Sequence, residues 1–146
     1  MKYILSVFLF CIFTVNALRA QPHSTQPQQT TDSLLNFIKT TKKDTLFVNA
    51  LNALSGQYIN AGSYQLASEY AEKAQQLART LNYKKGIAVS FGNVGNIYLY
   101  QGNYEKAFIN HQKALKIKEE IGDKQGLGNS YNNIGLIYYY QCLVLK

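Results

Sequence analysis

The apolar residues of this chain fall into helical registers over most of its length. Between Gly86 and Tyr100, Ile87, Phe91, Val94 and Tyr98 recur at spacings of three and four. Between Tyr104 and Ile121 so do Phe108, His111, and Ala114 or Leu115, with Ile121 two turns beyond Ala114. That is the period of amphipathic helices with one buried stripe each. Gly102, in the short polar stretch between these segments, can take the left-handed conformation that closes a helix, and Gly62, Gly122 and Asn82 can do the same at the other ends. A smaller apolar cluster, Leu34, Leu35, Phe37 and Ile38, predicts a short leading helix within 32–43, capped by Asp32 or Ser33.

The pattern repeats. A shift of forty residues lays G-I-A-V-S-F-G-N-V-G-N-I-Y-L-Y-Q (86–101) on G-L-G-N-S-Y-N-N-I-G-L-I-Y-Y-Y-Q (126–141), with eight of sixteen positions identical. The same shift lays G-S-Y-Q-L-A-S-E-Y-A-E-K-A (62–74) on G-N-Y-E-K-A-F-I-N-H-Q-K-A (102–114), again without a gap. Small residues recur in this register: Ala67 with Ala107, Ala74 with Ala114, and Ser55 with Gly95 and Gly135. They predict helices that approach closely in pairs, with Tyr58, Tyr98 and Tyr138 packed beside them.

The spacings L-x-x-L-S-x-x-Y (51–58), F-x-x-V-G-x-x-Y (91–98) and Y-x-x-I-G-x-x-Y (131–138), followed in the first two cases by G-x-Y-x-x-A, resemble the tetratricopeptide repeat. The resemblance covers roughly 44–141. The forty-residue unit is similar to the longer form found in kinesin light chains and in exported bacterial sensor proteins, while the proline that usually follows the second helix is missing and His111 stands where a larger apolar residue is usual. The resemblance implies an all-α fold, a right-handed α-solenoid of antiparallel helix pairs with about two and a half repeats. The expected units are 44–85, 86–125 and, as the first helix of an incomplete third, 126–146. In that last helix Ile134, Ile137 and Tyr138 are expected to lack the second helix their spacing anticipates, which leaves an exposed face through which the chain could self-associate.

Residues 1–20 begin with one lysine ahead of an apolar run from Tyr3 to Val15 and end in small residues, the pattern of a signal peptide. The run is short for a membrane span. Cleavage after Ala20 or after Ala17 fits, and Phe10 before Cys11 argues against a lipoprotein site. The stretch 21–31, which holds both prolines, reads as a flexible linker. The expectation is an exported protein, periplasmic or extracellular in a bacterium, with no membrane contact after cleavage. Its formal charge of +7 falls to +5 when Lys2 and Arg19 are removed, thirteen basic residues remaining against eight acidic ones. The lysines are scattered over linkers and helix faces, which argues against a nucleic-acid footprint.

Catalytic chemistry has little to work with. His23 lies in the linker, His111 on an inward helix face reads as a partly buried packing residue, and Cys142 would be the one cysteine left after cleavage, so neither a metal set nor a Cys/His pair can form. No phosphate-binding glycine motif is present. The chain is therefore expected to be no enzyme and to need no cofactor. In the family's pattern the first helix of each pair lines a concave groove, and on this sequence that implies a binding face of Asn49, Asn52, Asn93, Asn96, Tyr100, Asn129, Asn132, Asn133 and Tyr140. Amide side chains offer a donor and an acceptor to the backbone of an extended peptide, and tyrosines add flat apolar area. The expected function is to bind a peptide or protein segment; the other reading is the sensory front of a membrane-bound histidine kinase, nucleotide cyclase or transcription regulator.

Overall fold

The computed structural model describes residues 26–144. The expected signal peptide and the first part of the expected linker lie outside them. The chain divides into two compact units, 1–30 and 31–146, and of the first only the opening of one helix is described.

Six helices follow in order: α1 Gln26–Thr40, α2 Thr45–Asn60, α3 Tyr64–Thr80, α4 Lys84–Tyr100, α5 Tyr104–Glu120 and α6 Lys124–Val144. Helix α1 begins at Gln26, so 26–31 is helical rather than linker, and Asp32 and Ser33 lie inside the helix instead of capping it. Pro27 is compatible with this because the first turn of a helix leaves its N–H groups without intrahelical acceptors in any case. Likewise α4 and α6 start at Lys84 and Lys124, two residues before the glycines expected to open those units.

Each pair is closed by the same turn. Asn82 stands at φ 50°, and Gly62, Gly102 and Gly122 stand at φ 73°, 75° and 68°. In each case its N–H and that of the next residue return to the last helical turn, as in Gly62 N to Ile59 O at 3.0 Å and Ser63 N to Tyr58 O at 2.9 Å. The helix starts are capped more variously. Asp44 accepts from the N–H groups of Leu46 and Phe47, Asn103 from Lys106, and Asp123 from Gly126.

Among the described residues the fold is all-α, and unit 31–146 is a helical solenoid. Successive helices pack on one another from α2 to α6, while α4 also lies beside α2 and α6. Alanines make the close approach possible: Ala67, Ala71, Ala74 and Ala78 of α3 are all fully buried. Around Ala74 and Ala78 gather Val48 and Leu51, with Ile38, Phe47, Tyr83 and Ile87 packed against them. Ile59, Ala67 and Ile97 form a second cluster, and Leu99, Ala107 and Ile137 form its counterpart forty residues on. Ile137 is thus fully buried against α4 and α5, contrary to the expectation that it lacks a partner. Tyr138 is exposed but meets Phe108 edge-on at 5.7 Å.

Candidate functional site

The first helices of the pairs, α2, α4 and α6, lie side by side and present one shared face. On α2 its outward positions are 49, 53, 56 and 60; forty and eighty residues later the same positions fall on α4 and α6. Three rows cross the helices at full or partial exposure: Asn49, Val89, Asn129; Ala53, Asn93, Asn133; and Gly56, Asn96, Leu136. A fourth row, Asn60, Tyr100, Tyr140, closes the end nearest the turns. None of these positions carries a charge. Such a face suits neutral hydrogen-bonding groups rather than phosphates or carboxylates.

Part of the asparagine set is used inside the protein. Asn93 Nδ2 donates to the carbonyl of Asn52 at 2.9 Å, and Asn133 Nδ2 to Asn96 Oδ1 at 3.3 Å, which ties each first helix to the next. Asn49 Oδ1 accepts from the Tyr83 hydroxyl at 3.1 Å. Asn129 is exposed. Asn52 differs from the expectation. It is only 5% exposed, its Nδ2 donates to Gly86 O at 3.1 Å and its Oδ1 accepts from Ser90 Oγ at 2.9 Å, so the whole amide is spent between α2 and α4. Asn132 occupies the same register on α6 and is exposed beside the face rather than on it.

The tyrosines are held in place by stacking. Tyr100 stacks on Tyr64 with centroids 6.3 Å apart and Tyr140 on Tyr104 at 6.2 Å, the two pairs standing forty residues apart. Tyr139 meets Tyr140 edge-on at 5.6 Å. Tyr100 nevertheless keeps 63% of its surface open. A ring fixed on one side and wet on the other binds a ligand with little loss of side-chain entropy. The apolar members Val89 and Leu136 were not legible as part of this face from their type; the forty-residue register places them there.

Two clefts lie away from it. One of about 440 Å³ is bordered by Ile38, Lys43, Phe47, Leu51, Tyr70 and Lys73, and one of about 280 Å³ by Tyr64, Glu72, Phe91, Tyr98 and Asn110, among others. His111 is buried to 1% exposure, deeper than expected, and neither ring nitrogen has a hydrogen-bond partner. Burial, with a smaller contribution from the Lys118 charge, lowers its pKa from 6.5 to about 4. Among the described residues no His, Cys, Asp or Glu cluster could hold a metal ion, and no helix is long and apolar enough to cross a membrane.

Helix pairs closed by identical turns, knit by alanine stripes and repeated along one axis define a helical-repeat protein. The profile of the tetratricopeptide repeat matches residues 46–120 and again 86–142, and the chain belongs to that family. No curated protein matches it. Tetratricopeptide repeats serve as protein–protein interaction modules.

Proposed function

We infer that the chain is an exported interaction module, built on a forty-residue form of the repeat, that holds an extended peptide or protein segment on the face shared by α2, α4 and α6. The observation that carries this reading is the pair of stacked tyrosines, Tyr100 and Tyr140, beside rows that each hold at least one asparagine, uncharged throughout and open to solvent at Tyr100, Asn129 and Tyr140. Amides that bridge to one another still keep lone pairs and N–H groups for a partner's backbone, and the stacked rings supply area without demanding one side chain. Export rests on the leader pattern of residues 1–20, and the module performs no catalysis of its own. The leader together with the forty-residue unit also supports the second reading, a sensory region whose output domain lies elsewhere in a signalling protein. Self-association through the outer face of α6 belongs to the same proposal.

Selection of peptides from a display library tests the groove. Bound peptides are expected to lose at least tenfold in affinity on Tyr100→Ala or Asn129→Ala, with the helical circular-dichroism signal unchanged. Peptides that bind both variants as well as the parent chain sink the assignment of this face.

A further inference from the structure

We propose that the cleft between α1, α2 and α3 is a second binding site, which takes a small amphiphile with an anionic head and an aliphatic tail. It lies away from the face shared by α2, α4 and α6 and does not rest on peptide binding there.

The floor of the cleft is apolar. Ile38, Phe47 and Leu77 are half-buried: they pack on the cluster of Val48, Leu51, Ala74 and Ala78 and still border the cleft. Its volume of about 440 Å³ falls within the roughly 300–1,000 Å³ of small-molecule sites. Beside this floor stand Lys43, just ahead of α2, and Lys73 on α3, both exposed. Among the described residues no acidic side chain borders the cleft and neither lysine has an ion pair. Lys73 Nζ lies 5.2 Å from the ring centroid of Tyr70, which borders the same cleft. The carboxylate next to Lys43 in sequence, Asp44, is engaged as the cap of α2, where it accepts from the N–H groups of Leu46 and Phe47. Two ammonium groups beside one apolar hollow, with no counter-charge, suit a ligand that has a single anionic head and an uncharged body.

The chain's own repeat supplies a second observation. Forty residues on, the position of Lys43 is Tyr83, whose ring packs against the cluster of Val48 and Ala78 and whose hydroxyl donates to Asn49 Oδ1 at 3.1 Å. The position of Thr80, which borders the cleft, is Glu120, and Glu120 pairs with Lys84 at 3.0 Å. The later unit thus puts a packed ring and an internally balanced charge where the first unit puts a lysine without a counter-ion. The apolar members keep their type: Phe47, Leu51 and Leu77 answer to Ile87, Phe91 and Ile117. The sequence departs from its period at the polar rim of the cleft and not in its floor.

Titration calorimetry of the full chain with decanoate tests the site. Saturable binding of one decanoate per chain is expected. Decyltrimethylammonium, with the same tail and the opposite charge, should bind at least about tenfold more weakly, the factor that loss of one charge-assisted hydrogen bond implies. Lys43→Gln and Lys73→Gln, both at exposed positions, should each weaken decanoate binding by about the same factor. Gln76→Trp places an indole in the cleft from an exposed position on α3 and should abolish binding with the helical circular-dichroism signal unchanged. No saturation with decanoate, equal affinity for the cationic amphiphile, or parent-like binding by the folded lysine variants overturns the proposal. Tyr100→Ala should leave decanoate binding unchanged, so a loss of peptide capture in that variant bears only on the groove.

Discussion

Gly95 of α4 lies directly under the imidazole of His111 on α5: a Cβ at Gly95 would stand 2.7 Å from His111 Nε2 and 2.8 Å from its Cδ2. In the preceding pair the same two positions are Ser55 and Ala71, and there the Ser55 hydroxyl donates to Ala67 O at 2.8 Å. The two pairs fill one space by opposite means, with a small residue on each helix in the first and with glycine and a ring in the second.

That ring makes the fold acid-sensitive. His111 has its pKa lowered to about 4 by burial and, secondarily, by Lys118, against 6.5 in the unfolded chain. Between those values the unfolded state binds more protons, so stability is complete above about pH 6.5 and falls as pH drops toward 4. The shift corresponds to a loss on the order of 3 kcal/mol across that window. Urea unfolding from pH 7.5 to 4 should show the decline, and His111→Leu should flatten it. An equal decline in the variant would locate the acid sensitivity elsewhere.

Gly95→Ala should destabilise by about 1–3 kcal/mol, because the ring must leave its place to admit the methyl group. Combining Gly95→Ser with His111→Ala installs the arrangement of the first pair. The double variant is expected to be more stable than the sum of the single changes predicts, with a coupling energy of about 1 kcal/mol or more in a thermal-unfolding cycle.

Lys118 Nζ donates to Ser130 Oγ at 2.9 Å in a buried site between α5 and α6. Burial lowers the lysine's pKa, and Asp123 opposes the shift. Ser130→Ala removes this hydrogen-bond acceptor and should cost about 1–3 kcal/mol. Lys118→Met replaces the stem without the charge and should cost less than Ser130→Ala in the same denaturant titration.

Asn52 and Tyr100 should separate stability from binding. Asn52→Ala removes the amide that links Gly86 O and Ser90 Oγ to α2, although those two stay bonded to each other at 2.9 Å, and should lower stability by about 1 kcal/mol, with little change in peptide affinity per folded molecule. Tyr100→Ala should do the reverse. Parallel melts and fluorescence titrations with a selected peptide read both.

The helix pairs were legible because their punctuation is chemical: Gly62, Asn82, Gly102 and Gly122 all stand in the left-handed region that their residue types tolerate. The alanine stripe was legible because close packing leaves room for little else. What stayed hidden depends on angles finer than a hydrophobic period resolves. Asn52 and Ala53 differ by about 100° around the helix, which is enough to turn one into the seam with α4 and the other onto the open face. Whether His111 is partly or wholly buried depends on the glycine opposite, a contact across helices that no single stripe reveals. The true start of α1 was obscured because a glutamine- and proline-rich stretch reads as linker when composition alone is weighed.

The central claim, that α2, α4 and α6 share one partner-binding face, is tested most directly by backbone amide NMR during titration with a selected peptide. Shifts should concentrate at Asn93, Asn96, Tyr100, Asn129, Asn133 and Tyr140. Shifts centred instead on the cleft bordered by Ile38, Phe47 and Leu51 would contradict it.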